Sequence, residues 1–276
     1  MTTERIVLIG AGNAAHHLAP ALLNAGLNLC QIYSRSIESA RELGKKTGIT
    51  YTADLFAVYP DCDVYIFCVS DDVLPSLFKS LHINKKALVL HTSGSVPLSV
   101  FSSVFENYGV LYPLQTFSKK RALNFREVPL CVEASNEFSR KAVLSLAEKL
   151  SERVQEISSD KRKKLHLAAV FANNFTNHLY GMAGKMLEEE GLDFSLLRPL
   201  IFETAHKVML LSPEEAQTGP ARRGDENILS MHKSLLKNDK KRLTLYMLLS
   251  DSIKETLVKN EPKPTGENQP MTLTLW

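Results

Sequence analysis

The chain has 276 residues, of which 44% are hydrophobic and 23% are charged. This composition excludes a largely disordered protein, and the length allows one or two domains. The formal net charge of +3 is too small to indicate a nucleic-acid or membrane surface as the partner. The two basic clusters, 161–164 and 240–242, are therefore expected on solvated helix faces.

Neither a leader nor a membrane span is expected. The first residues lead directly into an apolar run and a glycine turn, without the apolar stretch and cleavage site of a signal peptide. No window approaches the ~20 apolar residues of a membrane span, so we expect a cytoplasmic protein. Cys30, Cys62, Cys68 and Cys131 show no Cys-x-x-Cys spacing, which predicts reduced thiols and no metal site.

The first half alternates short apolar runs with amphipathic stretches, the pattern of a parallel sheet covered by helices. Strands are predicted at 5–9, 29–33, 64–69, 87–91, 109–112, 129–133 and 153–157. Helices are predicted at 13–25, 37–47 and 136–150, the first two ended by Gly26 and Gly48. The predicted fold class is α/β, with a Rossmann-like, doubly wound, mostly parallel sheet.

After residue 158 the strand signals give way to helical periodicity. Helices are predicted at 161–190, 194–211, 226–236 and 240–258, with Asp160 as the N-cap and Gly191 as the C-cap of the first. We predict two closely packed domains: 1–157 for dinucleotide binding, and an all-α domain at 158–276 for the substrate or for dimerisation. The tail 261–270 is expected to be irregular, and the apolar residues 271–276 to dock on the body or on a partner subunit.

The strongest motif is a G-x-G-x-x-A sequence at residues 10–15, between a predicted strand and a predicted helix. Gly10 permits the tight turn, Gly12 lets the backbone approach a pyrophosphate, and Ala15 lets the helix lie close to the strand. The free N–H groups where the helix begins, at Asn13 and Ala14, favour phosphates. The motif predicts dinucleotide binding, and a glycine turn that binds nothing is the alternative.

The residues at the end of the second predicted strand indicate which dinucleotide the chain binds. Proteins that bind NAD usually have an acidic residue there for the ribose. This chain has Ser34, Arg35 and Ser36, whose hydroxyls and guanidinium suit the oxygens of a 2′-phosphate. The sequence therefore predicts NADP(H) rather than NAD(H), unless Arg35 is a solvated loop residue.

Two more strand ends are expected to line the same crevice, because ligands of open parallel sheets bind beyond the carboxyl ends of the strands. The residues concerned are Val69, Ser70, Asp71, His91 and Thr92. They are candidates for contact with the ribose and the nicotinamide. Each turn could equally be the start of a helix, with Asp71 or Asp72 as the cap.

A stripe of polar residues follows one face of the long predicted helix. At 100° per residue, His166, Asn173, Asn177 and Tyr180 project in one direction. Polar side chains in an apolar helix need partners, a ligand or water. The stripe indicates either a catalytic face or a hydrogen-bond network between helices, for example at a dimer interface.

A second polar cluster occupies 218–225 and is followed by His232. Gly219-Pro220 and Gly224 predict a turn before the next helix. Asp225 is a plausible N-cap of that helix, and His232 lies two turns into it. Arg222 or Arg223 could bind a substrate carboxylate or a cofactor phosphate. Alternatively, either arginine could form an ion pair on the surface.

Several segments taken in order carry a resemblance to a known family. They are Gly12-Asn-Ala-Ala-His-His-Leu18, His91-Thr-Ser-Gly94, Tyr112-Pro-Leu-Gln-Thr-Phe117, His166 with Asn173-Asn174, and Gly219-Pro220 leading to Arg223-Gly-Asp225 and His232. Over roughly 4–258 the chain resembles a bacterial family of NADP oxidoreductases, grouped with the deazaflavin-dependent ones. The family joins a Rossmann-like domain to a helical domain of unknown function and is distantly similar to pyrroline-5-carboxylate reductase, 6-phosphogluconate dehydrogenase and hydroxyisobutyrate dehydrogenase. The resemblance implies a cleft between two domains and a homodimer, and it implies no substrate.

The departures from those relatives also matter. The hydroxyacid dehydrogenases place a catalytic lysine four residues before an asparagine, where this chain has Ala169 and Val170. The Ser-Gly-x-Gly-Pro-Ala-Tyr signature of pyrroline-5-carboxylate reductase is also absent. His166 or His232 would therefore have to supply a proton.

The sequence favours an NADPH-dependent reductase of a small carbonyl or imine compound. Histidine side chains titrate near pH 6.5, which suits His166 or His232 to proton transfer. Asn173, with Ser93 or Gln115, would hydrogen-bond a developing oxyanion. Arg223 would bind an acidic group of the substrate. The alternative is a non-catalytic NADP(H)-binding sensor or partner protein.

Overall fold

The structure is a computed structural model that describes residues 4–260, with eight strands and eleven α-helices in that range. The strands are β1 (Arg5–Ile9), β2 (Asn28–Tyr33), β3 (Tyr51–Thr52), β4 (Val64–Phe67), β5 (Leu88–His91), β6 (Asn107–Pro113), β7 (Leu130–Ala134) and β8 (Val154–Glu156). The helices are α1 (Ala15–Asn24), α2 (Ile37–Thr47), α3 (Leu74–Ser80), α4 (Glu137–Leu150), α5 (Ser159–Ala169), α6 (Thr176–Glu189), α7 (Arg198–Lys207), α8 (Pro213–Ala216), α9 (Pro220–Arg223), α10 (Glu226–Leu235) and α11 (Lys240–Asn260). The predicted tail at 261–270 and the predicted docking of 271–276 lie outside the described residues.

All eight strands form one sheet in the order β3-β2-β1-β4-β5-β6-β7-β8. Neighbouring strands are parallel except β6 and β7, which are antiparallel. This arrangement confirms the predicted Rossmann-like, mostly parallel sheet. The order reverses direction at β1, so the carboxyl ends of β1 and β4 border the crevice where such sheets bind nucleotides.

Both faces of the sheet are covered. In β1, Ile6 and Leu8 pack into a core shared with α1, α2 and α4, while Val7 and Ile9 pack into a second core on the opposite face. Successive side chains of a strand point to opposite faces. The central strands therefore read as unbroken apolar runs, which is why the sequence reveals them.

Some boundaries differ from the predicted ones. Strand β3 was not predicted, because two residues are too short to give an alternating pattern. Helix α1 begins at Ala15 rather than at residue 13, and β4 ends at Phe67 rather than at residue 69. Gly26 and Gly48 do end their helices, with φ of 71° and 73°.

Two predicted helix caps were wrong. The N-cap of α3 is Val73, which provides no side-chain hydrogen bond, so neither Asp71 nor Asp72 has that role. The N-cap of α5 is Ser158, and Asp160 lies in the first turn. There its carboxylate still has a favourable interaction with the helix dipole. Asp225 is the N-cap of α10, as predicted, and its side chain accepts a hydrogen bond from the Ile228 N–H.

The long predicted helix at 161–190 is continuous but not uniform. Residues Val170–Phe175 form a π-helical segment between α5 and α6. Gly191, with φ of 70°, follows the end of α6 as predicted. The predicted helix at 194–211 is a 3₁₀ turn at Phe194–Leu197 followed by α7.

The chain divides into two compact units, residues 1–181 and 182–276, with the boundary between Gly181 and Met182. The change from strands to helices nevertheless comes earlier, after β8, where the sequence predicted it. Within residues 4–260 no helix is long and apolar enough to cross a bilayer. In the same range no three His, Cys, Asp or Glu side chains are grouped as metal ligands would be.

One member of the basic cluster at 161–164 contradicts the expected solvated face. Arg162 is completely buried, and its guanidinium binds the carboxylate of Glu133 on β7 and the carbonyl of Val96. A buried charge must be paired, and this pair ties α5 to the sheet. The four cysteines are free thiols as predicted; Cys30 is half-buried and the other three are buried.

Candidate cofactor cleft and active site

A cleft of about 620 Å³ opens at the carboxyl ends of β1, β2 and β4. It is lined by Gly10, Ala11, Gly12, Tyr33, Ser34, Arg35, Ser39, Leu55, Cys68, Val69, Ser70, Val73, Ser76, Leu77 and Ser80. The sheet places it at the point where the strand order reverses, and the predicted glycine motif forms its floor.

Glycine is required at the first position of the motif. Gly10 has φ of 120°, and a Cβ there would lie 2.2 Å from the carbonyl oxygen of Cys68. The space above Gly12 is open, with no heavy atom within 4 Å of an added Cβ. Ala15 is completely buried between α1 and the sheet. These three environments leave the backbone of the turn accessible to a ligand.

The beginning of α1 is suited to a phosphate. The residue before the helix is Ala14, no side chain of the described residues caps this end, and its first turn has no acidic residue. Free N–H groups and the positive end of the helix dipole therefore face the turn. Asn13 and Ala14 do not line the cleft through their side chains, so their predicted contact would use the backbone.

Among the described residues that line the cleft, the only cation is Arg35, at the end of β2. Arg35 is exposed, and within residues 4–260 it makes no ion pair. No acidic residue is among the described residues that line the cleft. Ser36 has a different role from the predicted one. Its hydroxyl caps α2 by accepting from the Ser39 N–H and donates to Glu38, whereas Ser34 and Ser39 line the cleft.

The strand end after β4 agrees only partly with the prediction. Val69 and Ser70 line the cleft, and Asp71 does not. The carbonyl of Ser70 accepts the N–H groups of Val73 and Leu74, which starts α3 directly after the turn.

The strand end after β5 is structural. His91 is 1% exposed and packs against Phe101, so its side chain is not available to a cofactor as predicted. Burial lowers the pKa of His91 to about 3, so the ring is neutral and its Nδ1 accepts the Ser93 N–H. The hydroxyl of Thr92 donates to the carbonyl of Phe67. The Ser93 hydroxyl accepts two N–H groups of its own turn and does not line the second cavity described next.

A second cavity, of about 420 Å³, lies at the carboxyl end of β6. On its border Tyr112 Oη lies 3.0 Å from His166 Nδ1. Gly94, from the turn after β5, packs directly against both rings: a Cβ there would lie 2.7 Å from His166 Nδ1 and 2.9 Å from Tyr112 Cζ. The three residues come from three separate segments, so the pair is held in place by packing as well as by its hydrogen bond.

The surroundings of Tyr112 keep its proton in place. The phenol is buried, and burial, with a smaller effect of Cys131, raises its pKa to about 12. The charge of Arg162 opposes this rise without cancelling it. Tyr112 is therefore a neutral phenol at physiological pH, and it occupies the Nδ1 side of His166. The Nε2 atom is the ring nitrogen that the phenol does not engage.

Amide side chains also border this cavity. Gln115, Asn173 and Asn174 line it together with His166. Two members of the predicted stripe, Asn177 and Tyr180, are not among the lining residues. The π segment at 170–175 lies between His166 and these two residues, and its wider turns depart from the 100° spacing on which the stripe was predicted. Such segments are frequent at functional sites.

Two predicted catalytic residues lie in the second unit, on other elements. Arg223 is exposed at the end of α9. His232 lies on α10, where its Nδ1 is 2.9 Å from Tyr246 Oη. Neither residue lines the cavity at the end of β6, and their catalytic roles remain predictions.

Comparison with known proteins identifies the family of the chain. Residues 5–94 match the family described as NADP oxidoreductase, coenzyme F420-dependent, and residues 128–253 match a domain of unknown function, DUF2520. A crystal structure of a "putative NADP oxidoreductase" from Bacteroides fragilis is 46% identical to the chain, covers 91% of it and 98% of its own length, and has a TM-score of 0.87. The chain belongs to this NADP oxidoreductase family. No curated protein matches it.

More distant structures share the fold of this NADP oxidoreductase. A protein from Thermotoga maritima is 23% identical over 91% of the chain and 98% of its own, with a TM-score of 0.78. An imine reductase from Myxococcus stipitatus in complex with NADP⁺ is 13% identical over 93% of the chain and 95% of its own, with a TM-score of 0.61. The enzyme is thus an NADP-dependent oxidoreductase, and NADP(H) is its cofactor.

The sequence assigns no role to three residues that line or support these two sites. Tyr112 and Gly94 occur only within the family segments, and Ser39 belongs to no motif. The position of Tyr112 at the carboxyl end of a predicted strand could have marked it, since ligands bind at those ends. Its pairing with His166, 54 residues away, depends on the tertiary structure.

Proposed function

We propose that NADP(H) binds in the cleft at the ends of β1, β2 and β4. The backbone from Gly10 to Ala14 would hold the pyrophosphate at the start of α1. Ser34, Arg35 and Ser39 would bind the 2′-phosphate, and Val69 with Ser70 would border the ribose and nicotinamide. The observation that carries this assignment is an unpaired Arg35 in a cleft whose described lining has no carboxylate to repel a phosphate.

Thermal unfolding with each cofactor tests this assignment. NADPH at ~100 times its Kd should stabilise the protein by about 2.7 kcal/mol, and NADH should do so less at the same concentration. Arg35→Asp should weaken NADPH and leave NADH unchanged or improved. Arg41→Asp, an exposed change on α2 outside the cleft lining, is the matched control. Better stabilisation by NADH than by NADPH would contradict the role of Arg35.

The proposed reaction is the reduction of a small carbonyl or imine compound, or its reverse. Its basis is the Tyr112–His166 pair, with Oη and Nδ1 3.0 Å apart beside a cavity lined by amide donors. Bound NADPH supplies a hydride to the carbon of the C=O or C=N bond and is oxidised to NADP⁺. The oxygen or nitrogen takes a proton from His166 Nε2. Tyr112 holds the imidazole through Nδ1, and Gln115 or Asn173 donates to the oxygen as its negative charge develops.

A panel of carbonyl and imine compounds, followed by NADPH oxidation, tests the proton donor. His166→Ala should lower kcat about 100-fold or more, with little effect on NADPH binding. Tyr112→Phe should lower kcat about tenfold with little effect on NADPH binding. His178→Ala, an exposed histidine on α6, should change nothing. Full activity of His166→Ala would dismiss this residue as the proton donor and return attention to His232.

We further propose that the enzyme is a homodimer built from its helical region. Between residues 159 and 256 only two apolar side chains are buried, those of Ala221 and Leu229. All but three of the exposed large apolar side chains of the described residues lie between 167 and 249. An exposed apolar surface that extends along a whole region of a monomer marks an interface. A second copy of the chain would cover them, since obligate homodimer interfaces are large and apolar.

Analytical ultracentrifugation tests the dimer. The wild-type protein should sediment with twice the chain mass. Phe202→Asp and Leu248→Asp, at side chains 71% and 63% exposed, should produce monomers, because a charge in an apolar interface is costly. Phe138→Asp, at an equally exposed position in the first turn of α4, should remain a dimer. A wild-type monomer at micromolar concentration would overturn the proposal.

A further inference from the structure

A third cavity lies on the outer side of α1, away from the residues that line the cofactor cleft and the catalytic cavity. Its volume is about 400 Å³, within the range of small-molecule sites. It is bordered by α1, by the segment 119–126 and by the end of α4. Its lining includes the basic residues Lys46, Lys119, Lys120, Arg121, Arg126 and Lys149, and no acidic residue among those described.

Only part of this positive charge is compensated. Lys119 pairs with Glu42, and Arg126 pairs with Glu152. The other four cations, Lys46, Lys120, Arg121 and Lys149, make no ion pair within residues 4–260. Like charges gathered around a concave surface focus a positive potential that attracts an anion.

One of these cations is held in place by a feature of the helix itself. Pro20 lies inside α1 and has no N–H, so the carbonyl of His16 lacks its usual helical donor. Lys46 Nζ takes that role, at 3.2 Å from the carbonyl oxygen. The ammonium group is thus held at the cavity by a neutral acceptor, and it makes no ion pair within residues 4–260.

A buried, unpartnered polar atom lies at the same cavity. His16 is 2% exposed and lines the cavity, and its Nε2 has no hydrogen-bond partner in the described structure. The nearest carboxylate oxygen, on Glu42, is 3.8 Å away and is already bound by Lys119. Buried polar atoms without a partner are rare in folded proteins and call for a ligand or water.

We propose that this cavity is a second anion site, which binds a small organic ligand with more than one phosphate group. Lys46, Lys120, Arg121 and Lys149 provide exposed, unpaired charges around it, and His16 contributes the buried ring nitrogen. The apolar part of the lining, which includes Pro20, Leu123 and Phe125, would contact the organic part of such a ligand. The site shares no lining residue with the cofactor cleft, so both can be filled together.

Calorimetric titration with inorganic pyrophosphate, and in parallel with inorganic phosphate, tests the proposal. Both titrations are made with and without saturating NADPH. Pyrophosphate should bind saturably, more tightly than phosphate, and with the same affinity in both conditions. The His16 ring signals should shift in the NMR spectrum. Displacement of pyrophosphate by NADPH, equal affinity for the two anions, or no saturable binding would each overturn the proposal.

Charge reversal at the cavity provides the matched comparison. Lys120→Glu with Arg121→Glu should weaken pyrophosphate binding about tenfold or more, and NADPH binding should not change. Lys240→Glu with Lys241→Glu makes the same change of charge at another exposed basic cluster. That control should retain full affinity. If both double variants lost the same affinity for pyrophosphate, binding would depend only on the net charge of the protein. That result would contradict a specific site.

Discussion

The sheet region, residues 4–156, and the helical region, residues 159–256, use similar apolar residues in opposite ways. In the sheet region they form two continuous cores, one on each face of the sheet. In the helical region Ala221 and Leu229 are the only buried apolar residues, while leucine, methionine and phenylalanine side chains are exposed along its length. Hydrophobic burial is the main favourable term in folding. The contrast therefore indicates that the sheet region is stabilised within one chain, and it is the basis for the proposed dimer contact of the helical region.

The same contrast separates the two kinds of site. The proposed cofactor cleft is formed by strand ends, whose positions are fixed by the sheet and its cores. The proposed catalytic cavity lies where the sheet meets the first helix of the helical region, with Tyr112 on β6 and His166 on α5. Rigid strands suit the recognition of a constant cofactor.

The largest expected effect is a cavity in the sheet core. Leu8→Ala, at a completely buried position of β1, should lower the free energy of unfolding by about 2–5 kcal/mol. Leu200→Ala makes the same change at a side chain 62% exposed on α7. Below the dissociation concentration of the dimer its effect should stay within about 0.5 kcal/mol. Urea denaturation measures both, and equal losses would remove the distinction between the regions.

The next largest effect is expected at the ion pair between Glu133, on β7 of the sheet region, and Arg162, on α5 of the helical region. Arg162→Met leaves the carboxylate of Glu133 without its buried partner and should cost about 3 kcal/mol. Arg140→Met removes a similar pair with Glu156, but on the surface, and should have little effect. Chemical denaturation compares the two variants. If the Arg140 variant lost as much stability as the Arg162 variant, burial would not be what makes the first pair strong.

The smallest expected effect is a dependence on pH that arises in the sheet core. Burial lowers the pKa of His91 to about 3, while the unfolded chain takes up that proton near pH 6.5. Between these values the unfolded state binds one more proton, so stability is complete above pH 6.5 and is lost as the pH falls. From pH 7 to pH 5 the loss should be about 2 kcal/mol.

His91→Gln should make this pH dependence shallower, because the side chain no longer titrates. His82→Gln, at an exposed histidine, should leave the slope as it is in the wild type. Unfolding followed by circular dichroism at several pH values measures the slopes. Equal slopes for the wild type and the His91 variant would show that another group is responsible.

The sequence predicted the regular elements of the sheet region well because each carries a local signal. Helix α2 has the predicted bounds, since Ser36 caps it and Gly48 ends it. The chemistry at the edges was less predictable. Ser36 and His91 were expected to bind the cofactor, yet the first caps a helix and the second is buried, because strand-end residues also have to satisfy their own turns.

The order of residues along the chain by itself determined the glycine turn, the parallel sheet, the change to helices and the preference for NADP(H). Each of these depends on neighbouring residues and on periodicities of 2 or 3.6. Only the tertiary structure paired Tyr112 with His166, buried Arg162 against Glu133, and gathered distant cations around the outer face of α1. Those contacts join residues far apart in sequence. Their partners are set by the order of the strands in the sheet, which brings distant segments of the chain side by side.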